Sequence, residues 1–402
     1  MGKTSKSLLD KTLGRRQFVS TLALAAASSQ CASSESRYPG GQGHQLDTRS
    51  ADEKLETYRY GALLDRARTP IHQLNGMITP SDLHFERNHS GIPEIHPDNY
   101  QLLIHGLVDR PLKFSLAELK RFPCISRIGF IECSGNCKAY FDHGPDTSAQ
   151  VVAGLTSQSE WTGVSLATLL NETGLRTNAK WLLAEGGDAA LMTRSIPIQK
   201  ALEDAIICYA QNGEAIRPAQ GYPVRLFLPG WEGSCNIKWL RRIEVGDQPW
   251  MTREETSKYT EPLLGNKARQ FSFVMDAHSI ITSPTCPQQI EKGWQEIRGL
   301  AWSGRGHISK VEVSTDGGSN WQPARLHPPV LDKAHTRFSL PWQWQGKEAL
   351  MMSRALDSTG YWQPDATTLI KARGIDSLIY HNNAIIGWRI HGDGRITYEA
   401  FV

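Results

Sequence analysis

The chain has 402 residues and a formal net charge of +3. That balance, with no basic run, excludes a charge-driven nucleic-acid binder. A 40% hydrophobic and 21% charged content fits a globular protein with a sizeable core, and the length corresponds to two or three domains at roughly 150 residues each.

The N-terminus reads as an address. Arg15-Arg16-Gln17-Phe18-Val19 precedes the apolar run Leu22–Ala27. The run is too short for a membrane span, which needs roughly 20 residues, and fits the core of a twin-arginine export signal. Cleavage is expected between Ala27 and Ser36, giving a periplasmic protein, and no other stretch is long and apolar enough to span. Residues 1–36 are read as signal and tail, and 37–70 as a polar arm with a short helix near Lys54–Arg66.

Residues 71–265 mix strands and helices. Tyr100–Leu107, Ile125–Cys133, Trp181–Glu185 and Pro223–Leu228 read as strands. Ser115–Arg121, Ser165–Thr173 and Pro197–Leu202 read as short helices, with Ser115 and Ser165 as caps. The two types do not alternate regularly, so the class is α+β. Over residues 270–402 the pattern becomes short alternating runs broken by Gly, Pro and Asp: Gln295–Trp302, His307–Ser314, Trp321–Leu326, Thr336–Leu340 and Leu350–Asp357. This spacing predicts an all-β, immunoglobulin-like sandwich, with Asp316-Gly317-Gly318 as a hairpin turn.

The most informative stretch is Phe130–Asn136. An apolar run ends in Cys133 and passes at once into Ser134-Gly135-Asn136, so a strand delivers one thiol to an accessible loop. Six cysteines remain after processing, and a Cys133–Cys137 disulfide is open on spacing in an oxidising compartment. A zinc site would take about four protein ligands, and Cys133, Cys137 and His143 offer three. A cofactor bringing its own donors needs only one thiolate. No haem, Walker, dinucleotide or zincin motif occurs.

Several motifs occur in a fixed order: Met77–Pro80, His84–His89, Phe130–Asn136, Glu185–Asp188, Gly221–Arg225, Lys238–Val245, Pro249–Thr256, Leu300–Gly304 and Tyr380–Ala384. Through them the chain resembles the sulfite oxidase family of molybdopterin oxidoreductases over most of its mature length. Within that family it is most similar to the molybdenum subunits of sulfane (sulfite) dehydrogenases.

The resemblance implies a molybdenum–molybdopterin cofactor with Cys133 as the protein's metal ligand. It implies cofactor contacts from Phe85, Arg87, Asn88, His89, Asp188, Gln220, Arg225, Asn236, Ile237 and Lys238. Arg225 and Lys238 fall at phosphate and pterin contacts, and Asp188 at the amino-pyrimidine edge. Arg87, Lys138, Trp161, Tyr259 and Arg373 fall at the substrate anion pocket. Lys138 and Cys137 stand where sulfite oxidase has arginines, Gln220 replaces a histidine and Cys235 an arginine. A lysine grips an oxyanion less specifically than a guanidinium fork, so these changes favour sulfane sulfur on a carrier protein over free sulfite. With no haem in this chain, electrons would leave to a c-type cytochrome subunit. The sandwich would make a homodimer within a heteromer.

Overall fold

The computed structural model describes residues 66–138 and 143–400. The export signal and nearly all of the arm lie outside the described residues. Arg66, at the end of the expected arm helix, instead begins a two-residue strand paired with Glu86–Arg87.

Two sheets carry the first half. One orders Glu214–Ala215, Ile206–Gln211, Thr156–Ser165 and Cys124–Glu132, with Arg225–Phe227 also paired to Ile206–Gln211. Cys124–Glu132 runs from an exposed start into four buried residues, so the strand ends inside the molecule and its next residue, Cys133, emerges there. The other sheet orders Leu112–Ser115, Gln101–Gly106, Leu240–Gly246, Trp181–Gly186 and Thr193–Pro197. Its one parallel pair joins Leu240–Gly246 to Gln101–Gly106. The helices are only four to eight residues long and follow no βαβ rhythm, as the α+β reading requires.

Ser115 forms a full capping box: its hydroxyl accepts from the Glu118 amide, and the Glu118 carboxylate accepts from the Ser115 amide at 2.8 Å. Ser165 also precedes its helix, Leu166–Thr173, but makes no capping bond. That helix is held instead by burying Leu166, Leu169 and Leu170.

The second half is a two-sheet sandwich of antiparallel strands. One sheet orders His278–Ser283, Gly293–Trp302, Thr336–Trp344 and Arg325–His327. The other orders Gln322–Pro323, Ile308–Ser314, Ala349–Asp357, Gly387–Ile390 and Ile396–Glu399. The run expected as one strand, Trp321–Leu326, is therefore split. Pro323 lacks an amide donor and cannot continue a ladder, and the chain changes sheet at Ala324. The Asp316 turn forms as expected, with Gly317 and Gly318 at φ 71° and 87°. One helix in this half, Ala366–Arg373, was not expected. Its signal is the cap Asp365, whose carboxylate accepts from the Thr368 amide at 2.7 Å.

The sandwich core, built on Trp302, Phe338 and Trp388, is continuous with Phe130, Cys137 and Val152 of the first half. Trp302 Nε1 donates at 2.6 Å to the carboxylate of Glu132, the residue just before Cys133. Among the described residues no helix is long and apolar enough to cross a membrane.

Candidate active site

The loop after Cys124–Glu132 is pinned from several sides. The Cys133 amide donates to Leu155 O at 2.9 Å, and the Asn136 amide closes the turn onto Cys133 O at 2.8 Å. The Asn136 side chain donates to Glu132 at 2.9 Å and accepts from the Leu155 amide at 3.0 Å. The His381 amide donates to Ser134 O at 2.8 Å. Cys133 is thus presented on a rigid turn and is partly exposed. Gly233 lies against it; a Cβ there would sit 2.9 Å from Glu132 O and 3.4 Å from Cys133 Cα, so only glycine lets the turn Gly233–Cys235 approach.

Cys133 opens into a cleft of about 670 Å³. Every expected cofactor contact lines it: Phe85, Arg87, Asn88, His89, Asp188, Gln220, Arg225, Asn236, Ile237 and Lys238. Tyr259 lines it as well. So do His84, Ser134, Met192, Ser234 and Trp239, to which sequence reasoning gave no role. His84, Ser134 and Trp239 fall within matched motifs, whereas Met192 and Ser234 lie four positions from the nearest one.

The electrostatics of the wall are unusual. Arg225 is 2% exposed. It donates to Gln220 O at 2.8 Å and Asn236 O at 3.0 Å, and lies 4.8 Å over the Trp161 ring. Its Nε is buried with no hydrogen-bond partner. Burial pushes its guanidinium down to about 10. Lys238 donates to Arg87 O at 3.2 Å, to Ala219 O at 3.0 Å and to the Asn88 side chain. Burial, with Arg225 nearby, pushes its ammonium down from 10.5 to about 7. Neither cation is in an ion pair with a carboxylate among the described residues. Burying charge without a counter-charge is costly, so these two groups fit an anion such as a phosphate that would restore the balance. The orphaned Nε of Arg225 and the buried, unpartnered Nδ2 of Asn88 leave donors aimed at such a group. Gly221, at φ 109°, packs so closely that a Cβ there would stand 3.0 Å from Lys238 Cα.

Other lining groups are neutral or fixed. Burial holds the His84 imidazole down at about 3, despite its bond to Phe85 O. Asp188 accepts from the Met192 amide at 2.9 Å. The Tyr259 hydroxyl and His89 Nε2 are 3.0 Å apart, and Arg194 lies 4.7 Å under the Tyr259 ring. Burial, with Cys133 and Glu232 nearby, keeps the Tyr259 phenol well above its usual range and protonated.

Three residues expected at the substrate pocket are not on the cleft wall. Trp161 is wholly buried under it, packed on Phe227 and donating to Gly129 O at 3.3 Å. Lys138 is exposed, closing a turn onto Gly135 O. Arg373 is drawn off by Glu261 at 3.2 Å and by the carbonyls of His381 and Tyr380. The bland alternatives also fail to assemble. Cys137 is buried 3.9 Å from His278 and forms no disulfide. Among the described residues no group of three or more His, Cys, Asp or Glu could hold a metal ion.

Comparison with known proteins decides the class. The oxidoreductase molybdopterin binding domain matches residues 89–254, and the Mo-co oxidoreductase dimerisation domain matches residues 269–387. Chicken (Gallus gallus) sulfite oxidase is 30% identical over 333 residues, covering 76% of this chain and 72% of that one. The chain belongs to the sulfite oxidase family of molybdopterin oxidoreductases. A bean (Phaseolus vulgaris) NADH nitrate reductase is also 30% identical, but only 35% of it is covered. The crystal structure of the sulfane dehydrogenase SoxCD from Paracoccus pantotrophus matches with a TM-score of 0.80 and 40% identity. That match covers 89% of this chain and 95% of that one. Family membership makes this protein a molybdenum–molybdopterin enzyme, and the donors of the cleft suit that cofactor.

Proposed function

We propose that this enzyme oxidises sulfane sulfur carried on a partner protein. The observation that carries the reading is the 40% identity to sulfane dehydrogenase along nearly all of both chains, against 30% to sulfite oxidase. The cleft supports it. A trap for a small dianion needs converging guanidinium forks. Of the arginines lining this cleft, Arg225 is buried in the wall, which leaves Arg87 to meet the substrate. Lys138 and Arg373 stand off. A sulfur chain tethered to a carrier needs less of that grip, because the carrier surface supplies binding.

In this reading the Cys133 thiolate ligates molybdenum, a soft donor for that metal. Arg225 and Lys238 hold the cofactor's phosphate, Asp188 accepts from the pterin edge, and Asn88 and His89 form the loop over it. The bound cofactor supplies oxo transfer to sulfur and accepts two electrons. Tyr259, kept protonated, donates a hydrogen bond to the substrate head, and Arg87 neutralises its charge. Ile131, Ile237 and Met192 exclude water from that side.

Electrons then pass to a c-type cytochrome subunit, and the dimerisation domain pairs two such chains. Arg15-Arg16 directs folded, loaded protein to the periplasm. The test is a ranking of substrates. With a matched c-type cytochrome as acceptor, carrier-bound sulfane sulfur should be oxidised at least tenfold faster than free sulfite. The reverse ranking would make the enzyme a free-sulfite dehydrogenase of the same family.

A further inference from the structure

Oxygen added to sulfur in this family's chemistry comes from water. Each turnover therefore frees two protons inside the cleft: the sulfur donor plus water gives the oxygenated sulfur, two protons and two electrons, the electrons going singly to an acceptor protein. Apart from the cleft mouth, the protons can leave along polar side chains that connect the wall to the surface.

One chain of groups leads away. Ser234 lines the cleft, and its hydroxyl donates to Glu232 Oε1 at 2.8 Å. Glu232 is 1% exposed, and its Oε2 lies 3.0 Å from His381 Nε2. The same nitrogen lies 3.6 Å from Glu261 Oε1. That oxygen is buried and has no hydrogen-bond partner. Glu261 Oε2 accepts from Arg269 Nε at 3.1 Å, and the Arg269 side chain is 45% exposed. The line thus begins at the cleft and ends beside a residue in contact with solvent.

We propose that Ser234, Glu232, His381 and Glu261 form the proton exit of the active site, with His381 passing the proton between two buried carboxylates. A proton arriving at Ser234 displaces the hydroxyl proton onto Glu232. The His381 Nε2 proton moves to the vacant lone pair of Glu261 Oε1, and Nε2 is refilled from Glu232. Glu261 then gives its proton to solvent water at its Arg269 edge, where the Arg269 side chain is 45% exposed, so one proton enters as one leaves, and no electron moves.

The surrounding charges suit transfer. Arg194 and the Cys235 thiol face Glu232, with Glu255 on the far side of Arg194; Arg373 and Arg269 face Glu261. Three arginines and three glutamates cancel, so the proton held by His381 gives the group a single positive charge at rest. Burial alone would raise the Glu232 carboxyl, but Arg194 and His381 hold it down at about 2, so it hands a proton on without storing it. Burial opposes charge on His381, yet its bond to Glu232 and the charges of Glu232 and Glu261 hold its proton above the usual range, against Arg373. The backbone at His381 sits at φ 51°, a conformation that costs free energy in a non-glycine residue and that aims the ring at both carboxylates.

The proposal rests on the family's chemistry and not on the sulfane reading, so the test uses no sulfur substrate. Full-length, metal-loaded protein is reduced with titanium(III) citrate and reoxidised with ferricyanide in weak buffer containing a pH dye. His381→Gln should release protons about tenfold more slowly than wild type, with a larger solvent isotope effect on reoxidation and unchanged molybdenum content. Glu261→Gln should behave alike if the first variant folds poorly. Arg269→Ala removes an ion pair but no proton carrier, and should lose stability while releasing protons at the wild-type rate. Metal-loaded His381→Gln or Glu261→Gln with wild-type release kinetics would overturn the proposal.

Discussion

Replacing Lys238 by methionine should stabilise the cofactor-free protein and weaken its hold on the cofactor. The ammonium is pushed down from 10.5 to about 7 by burial and by Arg225. At about 1.4 kcal/mol per pH unit, that gap corresponds to roughly 5 kcal/mol for carrying the charge in the cofactor-free fold. The sign follows from linkage. Between about pH 7 and 10.5 the unfolded chain binds a proton that the folded chain does not, so the apo-protein gains stability as pH rises through that window. Below about pH 7 it carries the full cost. Methionine removes the charge but leaves Arg87 O, Ala219 O and the Asn88 side chain without their donor. These losses cost about 1 kcal/mol each, so the net gain at pH 7 is about 2 kcal/mol. With the cofactor bound the balance reverses, because a charge-assisted contact of about 1.5–3 kcal/mol to an anion is lost. Urea melts of apo-protein at pH 7 and 9, with cofactor retention measured as molybdenum per chain after dialysis, read both effects. An apo Lys238→Met variant less stable than wild type that keeps its molybdenum equally well would refute the argument.

Two further outcomes follow from the same wall and its supports. Cys133→Ser should abolish turnover while leaving circular dichroism unchanged, since oxygen is a harder donor than thiolate; near-normal rates with metal bound would remove Cys133 as the ligand. Trp302→Phe leaves a buried carboxylate oxygen of Glu132 without its 2.6 Å donor and should lower the unfolding free energy by about 2–4 kcal/mol, and a loss under about 0.5 kcal/mol in urea melts would show that Glu132 finds another partner.

The cleft was legible because its residues come as short contiguous motifs. His84–His89, Phe130–Asn136, Gly221–Arg225 and Lys238–Val245 each bring backbone and side chain together, so matching a motif places its neighbours too. Arg373 and Trp161 show where that logic stops. Each stands singly in its segment, and its direction is set by distant partners. Glu261, 112 positions away, pulls Arg373 off the cleft. Phe227 and Arg225 cover Trp161 on one side and His84 on another. Nothing near Trp161 in the chain reveals its neighbours, and for Arg373 only the carbonyls of Tyr380 and His381 are local. The strand at Trp321–Leu326 failed for a local reason that was legible: Pro323 was in view and forbids an unbroken ladder.

The charges follow the same division. Arg225 and Lys238 were read as cofactor contacts by type and position, but their lack of carboxylate partners is a three-dimensional fact. So is the opposite case of Glu232, Glu255 and Glu261, which look like ordinary surface acids in sequence. In the fold they are 1% exposed and neutralised by Arg194, Arg269, Arg373 and His381. The cleft thus keeps a surplus of buried positive charge on the side that would hold an anionic cofactor, and a compensated network on the side that leads to solvent. An unpaired cation is tolerable only where an anion is to be bound. A paired network with one open carboxylate oxygen can carry a proton without binding anything. That asymmetry assigns retention of the cofactor to one wall and proton traffic to the other.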